Sequence, residues 1–173
     1  MARCTINPMV EADLGDVAAI DAASFPAPLP APGNQARDSA AQAREELARP
    51  WSRTWVARDE ESRLVAFVLY WQVADELHVL NLATHPSQRR QGYARALMQH
   101  VIAIARASNI RHILLEVRRS NGPALALYRA LGLTALGLRL RYYPDDEDAV
   151  EMILSFDPAT GVPVPRRDDV RLD

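Results

Sequence analysis

One cysteine, Cys4, and four scattered histidines are all that 173 residues offer in the way of soft ligands. A disulfide framework needs paired cysteines and a zinc site needs clustered ligands, so neither is expected, and no metal is expected either. A lone thiol suits a reducing cytoplasm. Charge of one sign is also lacking. A net charge of -2 and a pI near 6.1 withhold the basic excess of a dedicated nucleic-acid binder, so free nucleic acid is not an expected ligand. No run approaches the roughly 18 to 20 apolar residues of a spanning helix, and Met1 to Pro8 holds no stretch of signal-peptide length. A soluble protein without membrane contact is expected. The seven glycines form neither common nucleotide loop, since a Gly-Lys-Ser/Thr ending and a three-glycine fingerprint are both missing.

What is present is a 49% hydrophobic chain, enough for one sizeable core and too little for two ordinary domains. One domain is expected over residues 1–156, with residues 26–50 as a proline-rich loop and helix inserted into it. A short strand is expected at Ile6 to Pro8, and apolar residues at helical spacing predict a helix from Glu11 to Ala23. Phe25-Pro26-Ala27-Pro28-Leu29-Pro30-Ala31-Pro32-Gly33 neither continues a helix nor fits a central strand, because proline lacks a donor and restricts its predecessor. It reads as an exposed linker or as a lid beside an acceptor. Ser39 to Leu47 resumes as helix.

Strands follow at Trp55 to Arg58, Leu64 to Gln72 and Glu76 to Thr84, then a helix from Arg95 to Ser108, a strand from Arg111 to Val117 and a helix from Pro123 to Leu131. Thr134 to Arg141 and Ala149 to Phe156 would close as a hairpin. The order is β-α-α-β-β-β-α-β-α-β-β, an α/β or α+β arrangement with helices flanking a mixed, mostly antiparallel sheet of about seven strands. Residues 157–173 lack apolar periodicity and are expected to form a flexible tail.

Between the strand ending at Thr84 and the next helix lies Arg89-Arg90-Gln91-Gly92-Tyr93-Ala94-Arg95. A helix start presents N–H groups without intrahelical partners and partial positive charge, so a small-residue loop there suits an anion. The bland alternative is a glycine-containing turn with solvated arginines. The spacing of Arg89, Gly92 and Ala94 resembles the acetyl-CoA pyrophosphate loop of the GNAT N-acetyltransferases, written Gln/Arg-x-x-Gly-x-Gly/Ala.

Leu114-Leu115-Glu116-Val117-Arg118, the Ser120-Asn121 turn, Ala126-Leu127-Tyr128 and Tyr142-Tyr143-Pro144 narrow the resemblance. Together they are similar to the RimI branch, the bacterial ribosomal-protein N-terminal alanine acetyltransferases, over about Leu64 to Leu154. That resemblance implies the GNAT fold and acetyl-CoA as cosubstrate. It implies that Leu82, Ala83 and Thr84 bind the pantetheine arm through their backbone, as an added strand. Arg90, Gln91, Gly92, Tyr93, Ala94 and Arg95 would hold the pyrophosphate, and Asn121 would touch the coenzyme. Glu116 becomes the general base and Tyr128 the general acid. The acceptor becomes the N-terminal amine of a protein, a ribosomal one beginning Ala-Arg.

Each residue also has a plainer reading. Glu116 would be a solvent-face strand residue, Tyr128 a core aromatic beside Leu125 and Leu131, and Asn121 a helix N-cap followed by Pro123. The acidic run Asp145-Asp146-Glu147-Asp148 is a solvated loop or a seat for the acceptor's arginine. The chain's own Ala2-Arg3 has the form of that acceptor, which makes self-acetylation an expectation. RimI-like chains carry Phe-Pro-Trp where this one has Phe25-Pro26-Ala27, so acceptors of another kind, a lysine, another peptide or a small amine, stay open. So does a module that binds acetyl-CoA without turning it over.

Overall fold

The structure, a computed structural model, describes residues 3–25 and 39–170. The proline-rich segment at 26–32 and the Ala2 terminus lie outside the described residues. The strands are β1 (Thr5–Pro8), β2 (Ser52–Arg58), β3 (Leu64–Val73), β4 (Glu76–Thr84), β5 (His112–Arg118), β6 (Thr134–Arg139), β7 (Ala149–Phe156) and β8 (Pro163–Val164). The helices are α1 (Leu14–Ser24), α2 (Ser39–Ala48), α3 (Tyr93–Ala107) and α4 (Gly122–Ala130). Strand order is β1-β2-β3-β4-β5-β7-β6, with β8 on β7. The β4–β5 pair is parallel, whereas β1–β2, β2–β3, β5–β7, β6–β7 and β7–β8 are antiparallel. This is the order of elements that the resemblance implied, with β8 added. Among the described residues no helix is long and apolar enough to cross a membrane.

The chain divides into two compact units, Met1–Trp71 with Asn81–Met98, and Gln72–Leu80 with Gln99–Asp173. In the first, β3 is buried without a break from Leu64 to Tyr70, the continuous apolar run of a strand covered on both faces. Leu14, Val17 and Ile20 recur at three-residue spacing on the buried stripe of α1 and join Met9, Val56, Phe67, Leu69 and Ala83 in one core. Full burial of each large apolar side chain contributes roughly 1.5–3 kcal/mol. Charges admitted to this interior are paired, as desolvation requires. Asp13 binds Arg58 and accepts the Val10 N–H at 3.1 Å. Glu46 accepts the Trp71 indole N–H at 2.7 Å and pairs with Arg49 at 3.0 Å.

In the second unit β5 alternates: Ile113, Leu115 and Val117 are buried, while His112, Leu114, Glu116 and Arg118 share the other, half-buried face. β7 lies against it with Glu116 opposite Glu151. The β6–β7 register slips between Ala135 and Gly137, so that Gly137 faces Glu151, and a Cβ there would stand 3.2 Å from a Glu151 carboxylate oxygen.

The tail expected beyond Phe156 makes defined contacts. Val164 and Pro163 pair with Ser155 and Phe156 as β8, the Arg106 Nε donates to the Gly161 carbonyl at 3.1 Å, and Asp168 accepts from the Ala135 N–H and Arg129, each at 2.8 Å. Composition hid this because the contacts are polar and backbone-made. Element ends also move: β2 begins at Ser52, and α3 begins at Tyr93, two residues before the expected start.

Candidate active site

The first unit carries the residues expected to hold the coenzyme, except Asn121. After Thr84 the chain makes a short 3-10 turn at Pro86–Gln88, whose first N–H groups are met by His85: its ring nitrogen accepts from Ser87 N at 3.3 Å. Arg90 then takes φ 65° and Gly92 φ 97°, two left-handed residues that swing the chain into α3. Glycine adopts that conformation without steric cost, whereas Arg90 does so at about 1 kcal/mol or more. The first α-helical bond runs from Ala96 N to the Gly92 carbonyl at 2.9 Å, so the N–H groups of Tyr93, Ala94 and Arg95 precede the helical ladder.

Arg89, Arg90, Gln91 and Gly92 are exposed, and Ala94 and Arg95 are half-buried. Tyr93 differs. Its side chain is 5% exposed, so only its backbone can meet a ligand, and burial pushes its phenol up, with Asp59, Cys4 and Glu60 adding to the shift and Arg63 opposing it. Gln91 is turned back, donating to the Gln88 side chain at 2.8 Å. Along β4, Leu82 and Thr84 are half-buried and Ala83 is buried. The residue before them, Asn81, donates to buried Asp21 at 2.9 Å, and Asp21 also accepts from Ser39 Oγ at 2.8 Å.

The second unit carries the expected acid–base pair. The parallel β4–β5 ladder runs from Glu76–His112 to Val79–Leu115 and stops one residue short of Glu116. Glu116 is therefore neither a freely solvated residue nor a ladder residue toward β4. Its side chain is 26% exposed and its carboxylate lies 3.3 Å from Arg139 Nη2. The same guanidinium reaches Glu151 at 2.6 Å. Two glutamates directly opposite on adjacent antiparallel strands repel, and Arg139 offsets that repulsion by touching both.

Tyr128 sits one turn after Leu125, both buried, on a helix capped by Asn121, whose side chain accepts from Ala124 N at 3.2 Å. Asn121 itself is exposed. Burial drives the Tyr128 phenol well above its ordinary range, and Tyr143 pushes it further. Tyr143 is half-buried, its phenol pushed up to about 12 by burial; Glu116, Tyr142 and Glu147 add to this and Arg118 opposes it. Tyr143 thus feels Glu116, and Tyr128 feels Tyr143. Tyr143 meets Tyr142 edge-on with centroids 5.2 Å apart, and Arg139 stands 5.5 Å over the Tyr142 ring.

Arg139, Glu151 and Tyr143 had not been assigned roles from the sequence. Only strand register reveals Arg139 and Glu151, whereas Tyr143 stood in the quoted Tyr142-Tyr143-Pro144 motif. The acidic loop is less free than its composition suggested. Asp145 and Glu147 bind Arg118, while Asp148 accepts from Arg141 N at 2.9 Å and lies 3.7 Å from Arg119. Among the described residues, no three His, Cys, Asp or Glu side chains are grouped to hold a metal.

Comparison with known proteins bears on the family and the fold. The acetyltransferase (GNAT) family matches residues 16–133. Over 121 residues the chain is 36% identical to the [ribosomal protein bS18]-alanine N-acetyltransferase of Escherichia coli strain K12, covering 62% of this chain and 82% of that one. It is 36% identical over 99 residues to the protein of the same name from Haemophilus ducreyi, covering 55% and 68%. The crystal structure of the ribosomal-protein-S18-alanine N-acetyltransferase from Escherichia coli matches with a TM-score of 0.75 at 26% identity, over 98% of this chain and 99% of that one. The chain belongs to the GNAT acetyltransferase family, whose cosubstrate is acetyl-CoA.

Proposed function

We propose that this chain transfers the acetyl group of acetyl-CoA to the N-terminal α-amine of a protein. The names of its relatives point to a small-subunit ribosomal protein beginning with alanine as the acceptor. The observation that carries the reading is a half-buried carboxylate on β5 and a buried, protonated phenol on α4 within one compact unit, Glu116 and Tyr128. On this reading residues 1–156 work as a single acetyltransferase domain.

An α-amine has a pKa near 8, so about one in ten is neutral at pH 7 and a base must take the remaining proton. Glu116 accepts that proton, directly or through a water. The nitrogen then attacks the thioester carbon; the C–N bond forms, the C–S bond breaks, the departing thiolate takes the Tyr128 proton, the second proton of the acylated nitrogen passes to the Tyr128 phenolate, and Glu116 gives its own proton to solvent. A phenol carries that proton at neutral pH, and burial disfavours the phenolate further. Backbone groups of Leu82, Ala83 and Thr84 hold the pantetheine arm, and an N–H there polarises the thioester carbonyl, an effect worth about 3 kcal/mol. The N–H groups at the head of α3 take the pyrophosphate, with Arg90, Gln91, Gly92 and Arg95 around it and Asn121 touching the coenzyme.

The test is thiol release from acetyl-CoA with a panel of short peptides, free lysine and polyamines. Turnover of alanine-starting peptides, lost in Glu116→Gln and Tyr128→Phe, supports the reading. Turnover of lysine or polyamines alone would reassign the acceptor, and coenzyme binding with no turnover of any amine would make the chain a binding module.

A further inference from the structure

The strand face that carries Glu116 also carries Arg118, two residues on, and Arg118 engages two carboxylates and a ring. Its Nη1 donates to both Asp145 carboxylate oxygens, at 3.0 and 2.9 Å, and to Glu147 at 2.6 Å. Its guanidinium carbon stands 4.0 Å above the centre of the Tyr143 ring. Glu147 is fixed from the other side by the Ser120 N–H at 2.9 Å, and its carbonyl accepts from Tyr143 N at 3.1 Å. A further bond, from Asp146 N to the Tyr143 carbonyl at 2.9 Å, closes the turn. Single exposed ion pairs contribute little, but here two carboxylates and a ring converge on one planar group.

We propose that Arg118 is a positioning residue for the acetyl transfer: it clamps the loop from Leu140 to Asp148 onto the end of β5 and so fixes Tyr143 on the Glu116 face. The inference rests on the reading of Glu116 and Tyr128 given above. Residues two apart on a strand share a face, so a ring stacked on Arg118 is delivered to the face of Glu116. The same assignment changes the role of the acidic loop. Asp145 and Glu147 serve the clamp and are not a vacant seat for an acceptor's arginine.

The test compares wild type with Arg118→Met, Arg118→Lys and Tyr143→Leu, using Ala-Arg and Ala-Ala peptides. Arg118→Met is expected to raise KM about tenfold for both peptides alike, the scale of a lost charge-assisted network, while KM for acetyl-CoA stays within about twofold. Arg118→Lys keeps the charge but not the plane, and should recover part of the loss. Combined with Tyr143→Leu, Arg118→Met should add little, because both remove the same contact. Amide exchange at Ser120 and Tyr143 should quicken in Arg118→Met.

A folded Arg118→Met protein with unchanged peptide KM and unchanged exchange would overturn the proposal. So would a gain specific to the Ala-Arg peptide, since that would mean the freed carboxylates bind the acceptor. If wild type turns over no peptide, the functional reading fails instead, and exchange at Ser120 and Tyr143 still decides whether the clamp exists.

Discussion

Replacing Arg139 with methionine leaves two carboxylates, Glu116 and Glu151, facing each other across the β5–β7 ladder with nothing between them. The size of the effect follows from exposure. Arg139 is 47% exposed and each glutamate 26%, so solvent screens both contacts and each ion pair contributes about 0.5 kcal/mol. Directly opposed like charges on paired strands repel by roughly 0.2–1 kcal/mol, but in both proteins alike. Arg139→Met should therefore cost about 1 kcal/mol, which for a chain of this length lowers Tm by about 2–4 °C.

Two controls separate charge from packing. Glu151→Gln in the same background removes one of the opposed charges and should return the repulsion, about 0.2–1 kcal/mol. Added salt should shrink the difference between wild type and Arg139→Met, because screening weakens the pair and the repulsion together. Thermal unfolding by circular dichroism at about 0.05 and 0.5 M salt reads both effects. A loss that ignores salt and is not relieved by Glu151→Gln would mean that Arg139 acts through its aliphatic stem over Tyr142 and that the charge argument is wrong.

Tyr128→Phe should lower kcat about a hundredfold or more with little change in KM, as expected for removal of a general acid, and thermal unfolding should show the fold intact. Gly92→Val should raise KM for acetyl-CoA at least about tenfold, since φ 97° is strained for a β-branched residue; unchanged coenzyme affinity would remove the loop from the site. Glu147 is held at about 2 by Ser120 first and Arg118 next, below its unfolded value near 4.5. The stabilisation is therefore complete above about pH 5 and is lost as pH falls toward 2, and Glu147→Gln should flatten Tm against pH in that window.

Local patterns made the fold readable. The continuous apolar run of β3, the alternation in β5 and the small-residue turn at Gly92 each leave a signature within a few residues. What escaped was set by pairing between distant segments. The bulge at Ala135 to Gly137 decides that Arg139 stands near Glu116, and no spacing within β6 announces it. Glu116 itself was ambiguous because strand alternation permits either face; only the half-buried face and the Arg139 contact decide. β8 spans only Pro163–Val164, too short for periodicity to register. Tyr93 shows the opposite limit: it sits inside a legible motif, yet its side chain turns into the core.

Charge bookkeeping in the acidic loop bears on how an acceptor is chosen. Four consecutive carboxylates look like a magnet for an arginine, but Asp145 and Glu147 bind Arg118, and Asp148 is engaged by Arg141 N and Arg119. An incoming guanidinium that took Asp145, Glu147 or Asp148 would have to displace one of these, exchanging one charge-assisted contact for another of similar strength. Such an exchange is nearly balanced in free energy and gives little discrimination. A second-position arginine is therefore poorly placed to dominate recognition at this loop. On the proposed reading, discrimination between acceptors would then have to come from contacts other than an arginine at this loop.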